Sequence, residues 1–521
     1  MTSTTVSSAR KWGTLAICTI AALLLGIDNS VLNLAIPSLV REMDPSSTQI
    51  LWIADAYSFA LAGLLVVMGG LGDRIGRKRL LLIGATCFGL ASLLTAYAGN
   101  PDLLIAGRVL QGVAGATVMP STASLIRSTF TDAKERTLAM GVSGGVAAGG
   151  FALGPVIGGV LLNHFWWGSV FLINVPVMLL LILSGSVLLI ESRDPAPKRL
   201  DLLSLLLVEV GLFGAVYAIQ TGGHDGFTQD KVLATAAVGA LALLLFGLRQ
   251  VRIPNPLIDL PLLRNRAFAG SVGANLVTII SVSALALAFS QYFQDVRGWS
   301  PLTAGLATLA GPVGAMIGGP SCAAMINLVG RARTTALGLG LMAASMVGMS
   351  AVGAGTDYWV LAPIVLVNGI GMGFVFGVTT DTMLATAPKE RAGGAAAIGE
   401  TAMELGGGLG IAVLGSVLAS GYRGALHLPA GLPADVAAGA RQNVGGATTA
   451  GRALPAPQGP ELLRTAQDAF VHALHLSTLV GAGICAVGAV GTLFALRRVP
   501  KVIEDAEPDQ QGTETLLPAI G

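Results

Sequence analysis

The sequence predicts an all-α polytopic membrane protein with fourteen transmembrane helices. Of its 521 residues, 53% are hydrophobic and only 12% are charged, whereas a soluble domain carries about 25% charged residues. The mean hydropathy is +0.73. The apolar residues occur in runs of about 20, the helix length that crosses the ~30 Å hydrocarbon layer of a bilayer. These observations indicate that the chain folds in a membrane.

Hydropathy places the fourteen segments in groups of six, two and six. The first six lie near residues 14–36, 50–70, 80–98, 103–124, 138–162 and 170–190. The inserted two lie near residues 201–220 and 231–249. The last six lie near residues 268–292, 301–324, 334–355, 359–384, 395–420 and 469–495. The first segment lacks a cleavage site and is too long for a signal peptide, so we expect it to be retained.

This grouping predicts two six-helix halves joined by a helix pair. We expect the N-terminal half in residues 1–190, the inserted pair and its linker in 191–267, and the C-terminal half in 268–498. A long outer loop, rich in alanine, glycine and proline, is expected at about 421–468, with a short hairpin or helix. Residues 499–521 are expected to form a disordered cytoplasmic tail.

An internal repeat supports the two halves. The segment RIGRKR at 74–79 is echoed by LVGRAR at 328–333, an offset of 254 residues. The first helix of the second set also starts about 254 residues after the first helix of the first set. Parallel repeats of this kind place the substrate between the halves, near the middle of the membrane.

The distribution of lysine and arginine predicts the orientation. With a cytoplasmic N-terminus, the cytoplasmic segments hold 23 of the 31 basic residues, the outer segments hold seven, and Arg108 lies within a helix. An even number of helices with both termini in the cytoplasm explains this asymmetry.

Composition and motifs exclude several classes of protein. A net charge of +2 without a basic patch gives no reason to expect a nucleic-acid partner. The four cysteines and five histidines have no metal-ligand spacing, and there is no Ser/His or Ser/Lys pair within the spans, so we expect neither an enzyme nor a metal or other cofactor. No Gly-Lys dipeptide occurs, which excludes a phosphate-binding loop of the Walker A type. Uphill transport would therefore depend on an ion gradient.

Acidic residues within the apolar segments are the candidates for binding protons or substrate, because a carboxylate in a low dielectric holds its proton more tightly. Asp28 lies in the middle of the first segment and is the strongest candidate. Glu400 and Glu404 are four residues apart and share one helix face, and we favour Glu400 of the two. Asp55 is a further candidate or a wetted interfacial residue, and Asp381 is the weakest of these candidates.

Arg108 is the only cation predicted inside a span, where an unpaired guanidinium is very costly. We expect it to bias the proton affinity of a nearby carboxylate, with Asp28 as the candidate. The alternative is an anchor to backbone carbonyl groups.

Four segments resemble the signatures of one family: IDNSVLNLAIP in helix one, GGLGDRIGRKR after helix two, RVLQGVAGA in helix four and GGFALGPVIGG in helix five. Together they resemble the fourteen-helix drug:proton antiporters of the major facilitator superfamily over nearly the whole chain. The segments HFWWGSVFLINVP and GETAMELGGGLG look more narrowly like exporters of quaternary ammonium compounds, dyes and fluoroquinolones.

The resemblance implies the major facilitator fold, proton-driven efflux by alternating access, and a bacterial cytoplasmic membrane as the location. It implies a gate latch in the loop after helix two, formed by Gly69, Asp73, Arg74, Gly76, Arg77 and Lys78. It also implies that helix five seals the protein against proton leak through Gly150, Gly154, Pro155, Gly158 and Gly159. The expected partners are small lipophilic or cationic drugs, protons and lipid, and we expect a functional monomer.

Helix ten of the sequence contains no acid, a departure from relatives that export divalent cations. This favours monovalent or neutral substrates. The open alternatives are a dedicated exporter of one endogenous antibiotic or metabolite, an importer, and a membrane receptor. The fold alone does not set the direction of transport.

Overall fold

A computed structural model describes residues 8–130, 132–193, 201–225, 228–253, 260–386 and 392–500. The N-terminal half consists of α1 (Ser8–Met43), α2 (Ser47–Ile75), α3 (Arg77–Ala96), α4 (Pro101–Thr129), α5 (Ala133–His164) and α6 (Ser169–Leu188). The inserted pair is α7 (Leu202–Asp225) and α8 (Asp230–Arg252). The C-terminal half consists of α9 (Arg266–Val296), α10 (Pro301–Val329), α11 (Arg331–Gly348), α12 (Tyr358–Thr386), α13 (Ile398–Ala425) and α14 (Gln458–Ala495).

The described part of the chain contains thirteen helices that are long and apolar enough to cross a membrane. The remaining one is α5, which has 32 residues, more than the ~20 that a bilayer requires. Its apolar described portion is Leu153–His164. The predicted all-α membrane architecture is confirmed.

Some of the helices begin at residues whose side chains satisfy free backbone N–H groups. Ser46 caps α2, because its hydroxyl accepts from the amide of Gln49 while the Gln49 side chain accepts from the amide of Ser46. Asn100 caps α4 and is followed by Pro101, a residue that has no N–H to satisfy. These local signals fix where a long apolar run becomes a separate helix.

Two single glycines make the sharpest reversals. Gly76 connects α2 to α3 with φ +110°, and Gly330 connects α10 to α11 with φ +86°. Residues that carry a side chain rarely adopt these φ angles, whereas glycine tolerates them. The two glycines are 254 residues apart, which equals the predicted repeat offset. The repeat is therefore visible as the same turn in each half.

Some helices extend beyond their apolar segments. In the structure α14 begins at Gln458, whereas hydropathy places its start near 469. The difference arises because Glu461, Arg464 and Asp468 are polar residues that nevertheless belong to the helix. The connection between α13 and α14 accordingly shortens to 426–457 and contains two short helices, Ala434–Gln442 and Val444–Ala453. The predicted tail from 499 lies almost wholly outside the described residues.

Among the described residues, the two halves meet most extensively along two seams. In one seam, α2 packs against α13, where Gly408 lies against the ring of Phe59. In the other, α5 packs against α10, where Gly159 lies against the backbone of Leu302. The helix α7 packs on α8 and also contacts α2 and α13, so the inserted pair covers the first seam from outside.

The inserted helices are joined at one end by an ion pair. Arg249 donates to both carboxylate oxygens of Asp201, at 2.9 and 3.0 Å. This pair, helped by the Ser204 hydroxyl, lowers the pKa of Asp201 to about 2. Because the folded pKa lies below the unfolded value of about 3.9, the stabilisation is present above pH ~4 and is lost as the pH falls towards 2.

We therefore expect Asp201→Asn to lower the thermal unfolding temperature of the purified protein at pH 7. The difference from wild type should shrink as the pH approaches 2. The measurement is thermal unfolding in detergent across this pH range, with Glu461→Gln as a control at another exposed helix end. A difference that is constant with pH would contradict the ion-pair explanation.

Candidate functional site

A buried polar network lies inside the N-terminal half, with Asp28 of α1 at its centre. The Asp28 side chain is fully buried. Its Oδ2 is 3.0 Å from Nη1 of Arg108, and its Oδ1 accepts from the side-chain amide of Asn174 at 2.5 Å. The carboxylate therefore pairs with a cationic side chain of α4 and accepts a hydrogen bond from a neutral amide of α6.

Arg108 is also buried, with 1% of its surface exposed. Besides Asp28, it donates to the side-chain oxygen of Gln111 at 3.1 Å and to the carbonyl oxygen of Ile53 at 3.4 Å. Its guanidinium carbon lies 4.6 Å from the ring centre of Tyr57. The residue therefore contacts both the expected carboxylate and a backbone carbonyl group, so the two predicted environments of Arg108 coexist.

Sequence reasoning missed the neutral members of this network. Gln111 donates to the Ser92 hydroxyl at 2.9 Å, and Asn174 donates to the same hydroxyl at 3.2 Å. Both amides lie in the quoted segments RVLQGVAGA and HFWWGSVFLINVP. The available signal was an amide side chain inside an apolar span, because such groups require buried partners.

The other candidate acids are distributed around this network. Asp55 of α2 is fully buried rather than at a wetted interface. On α13, Glu400 is exposed and Glu404 is half-buried. Glu404 lies close enough to Ser58 of α2 to interact with it. Asp28 and Asp55 therefore lie in the N-terminal half, and Glu400 and Glu404 lie in the C-terminal half.

Tyr57 lies between the two groups of acids. Its side chain is within electrostatic range of Asp28, Arg108 and Glu404. The Tyr57 hydroxyl also lies close to Gly115 of α4, because a Cβ atom added at that glycine would be 3.1 Å from the hydroxyl oxygen. Tyr57 therefore lies near both the Asp28–Arg108 pair of the N-terminal half and Glu404 of the C-terminal half.

The predicted glycines of α5 face two different helices. A Cβ atom on Gly150, Gly154 or Gly158 would collide with α1, at Leu23, Ser30 and Val31 respectively. Gly159 faces the other half, since its Cβ atom would lie 2.7 Å from Cα of Leu302 and 2.9 Å from the Pro301 oxygen. Small residues permit this close approach of backbones. Pro155 also contacts the C-terminal half, because its carbonyl oxygen lies against Gly305.

The same end of the molecule carries polar contacts between the halves. Arg41 at the end of α1 pairs with Asp295 at the end of α9, with 3.7 Å between Nη1 and Oδ1. The amide of Gln294 donates to the Leu34 oxygen at 2.9 Å. Ser47 also donates to the carbonyl oxygen of Gln442. We call this end, with the α1–α2 connection, the closed end.

We expect Asp295→Asn to loosen the closed end, because Asp295 is 3% exposed and supplies the charge that binds Arg41. The measurement is the rate at which a water-soluble maleimide labels Val40→Cys, which is buried between the halves. Labelling should accelerate about fivefold, corresponding to ~1 kcal/mol. The exposed Cys87 is first replaced by serine. Asp435→Asn is the control, and equal rates in both variants would contradict this role.

Most of the predicted gate residues lie in helices, whereas the sequence predicts that they form a loop. Gly69, Asp73 and Arg74 lie in the last turns of α2, and Gly76 alone forms the turn. The reason is the φ of Gly76, which reverses the chain within one residue. The Asp73 side chain lies outside the described part of the structure. The prediction that these residues share one loop is therefore corrected.

The start of α3 binds the segment that follows α6. The amide and side chain of Arg77 donate to Ser192, at 3.0 and 3.3 Å. The amide of Lys78 donates to Glu191 at 3.1 Å, and its ammonium donates to the Ser186 oxygen at 2.7 Å. Glu191 therefore binds the start of α3, and sequence reasoning missed it. The equivalent place in the other half carries a pair between Arg331 and Asp381, at 2.6 Å.

The family follows from comparison with known proteins. The model of the Major Facilitator Superfamily matches residues 18–411, so the chain belongs to this superfamily of membrane transporters. It is 40% identical over 500 residues to the multidrug efflux pump LfrA of Mycolicibacterium smegmatis, covering 95% of this chain and 98% of the relative. It is 34% identical to the methyl viologen resistance protein SmvA of Salmonella typhimurium, covering 94% and 99%.

A third relative is the tetracenomycin C resistance and export protein of Streptomyces glaucescens. It is 31% identical, with 97% of this chain and 94% of the relative covered. Among solved structures, a bacterial homologue of the lysosomal transporter Spinster in an inward-facing, unoccupied conformation has a TM-score of 0.65 at 16% identity, covering 94% and 99%. At that identity the likeness shows the fold alone, and it confirms the major facilitator architecture.

Proposed function

We propose that this protein exports lipophilic, mostly monovalent cations from a bacterial cell by alternating access, in exchange for protons. The gradient is a sufficient energy source, because ~150 mV supplies about 3.5 kcal/mol per charge moved. That energy supports a concentration ratio of a few hundred. The named activities of LfrA and SmvA support drug efflux, since both relatives align over nearly the full chain.

The observation that carries the coupling mechanism is the Asp28–Arg108 pair. Both side chains are buried inside the N-terminal half and are 3.0 Å apart. When Asp28 is ionised, the pair is neutral. When Asp28 takes up a proton, Arg108 loses its counter-charge and must bind elsewhere, with Gln111 and the Ile53 oxygen already in contact. A proton at Asp28 thus changes the bonds that join α1, α2 and α4.

Glu400 is the proposed acid for drug and proton in the C-terminal half. It is exposed on α13, with Glu404 one turn further along the same face. A carboxylate accessible to water between two apolar halves attracts a lipophilic cation without fixing its shape. Glu404 and Asp55 are proposed as secondary acids. Drug and proton then compete for the same carboxylates, which gives exchange rather than co-transport.

The proposed orientation places the closed end outside, so this conformation faces the cytoplasm. The basic residues support it, since the opposite end carries Arg74, Arg77 and Lys78 in one half and Arg331 and Arg333 in the other. In this orientation, α5 and α10 form the outer seal and the α2–α3 turn acts as the inner latch. Both termini lie in the cytoplasm, and the monomer contains the whole transport path.

The test is ethidium efflux from energised cells of a pump-deficient strain. Cells with the wild-type protein should expel ethidium, and this efflux should stop when an uncoupler is added. Asp28→Asn and Glu400→Gln should each reduce efflux to the background of the strain, while Glu461→Gln, an exposed acid at the start of α14, should be unchanged. Efflux that persists with uncoupler, or in both acid variants, would overturn the proposal.

A dedicated exporter of one antibiotic is the second candidate, supported by the relative named for tetracenomycin C export. A panel of compounds separates the two functions. A multidrug exporter should protect against ethidium, quaternary ammonium compounds and unrelated dyes, whereas a dedicated exporter should protect against one chemical family. Methyl viologen, a dication, belongs in the panel because SmvA is named for it.

A further inference from the structure

The inserted helix α7 carries an acid that none of the motifs includes. Glu209 lies in the apolar run LLLVEVGLF, about two turns from the start of the helix. Both carboxylate oxygens are buried, and neither has a hydrogen-bond partner among the described residues. A carboxylate in that setting needs either a proton or a cation. A purely structural acid would instead be bonded to neighbouring groups.

The space for this carboxylate is created by a glycine of α2. The side chain of Glu209 lies directly against Gly63, where a Cβ atom would collide with the carboxylate. Gly63 is near the middle of α2, which runs from Ser47 to Ile75. The acid therefore lies near the middle of the membrane, where α7 covers the seam between the halves.

Aromatic side chains lead from Glu209 to the outside of the bundle. Phe213 and Tyr217 follow Glu209 at intervals of four residues, so each lies about 6 Å further along and about 40° further around the helix. Phe213 stacks against Trp52 of α2, with 5.8 Å between ring centres, and Tyr217 lies 6.4 Å from the same ring. Tyr217 is 36% exposed, Trp52 and Phe213 are half-buried, and the carboxylate oxygens of Glu209 are buried.

We propose that Glu209, Trp52, Phe213 and Tyr217 form a lateral site that takes a lipophilic monovalent cation from the bilayer. Aromatic faces attract organic cations, most strongly where water is excluded. The buried carboxylate supplies the single opposite charge, and a proton occupies it when the site is empty. The site rests on the proposed function, and it supplies cations to the acids between the halves from the lipid side.

The position of α7 gives this site a path inward. On α2, Phe59 lies against both Phe213 and Gly408 of α13, with 6.2 Å between the two phenylalanine ring centres. One turn before Gly408 on the same helix is Glu404. A cation that passes the ring of Phe59 therefore reaches the acidic face of α13 without leaving the seam between α2 and α13.

The test compares four purified proteins in liposomes with an imposed pH gradient. Glu209→Gln keeps the shape of the acid and removes its charge, and Gly63→Ala fills the space beside it. Gly247→Ala on α8, which has open space around it, is the matched control. We expect the KM for ethidium to rise at least tenfold in Glu209→Gln and in Gly63→Ala, with the maximal rate retained. Gly247→Ala should equal wild type.

A second readout locates the cation directly. A photoreactive aryl phosphonium cation should label α7 in wild type, and this labelling should fall at least tenfold in Glu209→Gln. An unchanged KM together with unchanged labelling in Glu209→Gln would overturn the lateral site. A lost maximal rate with an unchanged KM would also overturn it, because it would assign Glu209 to coupling. If wild type itself moves no cation, the proposed function fails, whereas labelling of α7 still reports on the site.

Discussion

Replacing Arg108 with alanine should abolish proton-coupled transport. Within the part of the chain that the structure describes, the substitution removes the one cation bonded to Asp28, whose carboxylate is fully buried. Breaking a buried ion pair from one side costs about 3–5 kcal/mol, which is a large part of a typical stability of 5–15 kcal/mol. Because the ionised form of Asp28 loses its counter-charge, we expect the pH profile of any residual transport to differ from that of wild type.

The measurement is the pH profile of ethidium transport in liposomes, alongside the thermal unfolding of the same preparation. The double variant Asp28→Asn/Arg108→Gln removes both charges and should recover much of the stability without recovering transport. Arg108→Lys keeps the charge and should retain part of the activity. A wild-type pH profile in Arg108→Ala would eliminate the coupling role.

Replacing Gly159 with alanine should prevent the closed end from forming. The added Cβ atom would lie 2.7 and 2.9 Å from backbone atoms of Leu302 and Pro301, which cannot rotate away as a side chain can. Overpacking of this kind costs about 1–3 kcal/mol. The cost falls on this conformation alone, because the contact joins the two halves. We therefore expect a tenfold or greater fall in transport.

Gly149→Ala is the matched control on the same helix, since its Cβ atom meets open space. Alanine favours helix over glycine by about 1 kcal/mol, so this variant should be at least as stable as wild type. Spin labels at Glu42→Cys and Asp435→Cys, in a Cys87→Ser background, measure the separation of the halves. A separation in Gly159→Ala equal to that in Gly149→Ala would contradict the proposed seal.

The helices were predictable from the sequence because an apolar run of about 20 residues has few alternatives in a bilayer. The helix ends were less so. At α14, a polar stretch containing Glu461 and Arg464 continues the helix beyond the apolar run. At α2, the helix persists through Arg74 and ends only where Gly76 adopts a positive φ. Hydropathy does not detect either feature.

The centre of the N-terminal network was predictable for an electrostatic reason. A lone arginine in a span needs an acid, and Asp28 was the acid at the appropriate depth. The side chains of Gln111 and Asn174 are uncharged and so do not require a partner of opposite charge. Their partners depend on how five helices pack. The contact between Arg41 and Asp295 depends on how the halves meet, which composition and spacing do not specify.

Glu209 shows a different limitation. An acid in the run LLLVEVGLF is visible in the sequence, but its significance depends on Gly63 and Trp52, which lie on a helix about 150 residues earlier. The packing of α7 against the seam between the halves brings these residues together. Intramembrane acids outside recognised motifs therefore become informative once their neighbours are known.

We propose that carboxylates within the protein, among them the buried Asp28 and the exposed Glu400, exchange protons for lipophilic cations and so change which side of the membrane the protein faces. The most direct measurement uses purified protein in sealed liposomes, with an imposed pH gradient as the only source of energy. With the lumen made acidic, we expect wild type to accumulate ethidium or tetraphenylphosphonium inside the liposomes and to acidify the external medium as protons leave. We expect neither change in Asp28→Asn. Absence of cation movement in wild type across a wide panel of lipophilic cations would contradict the account.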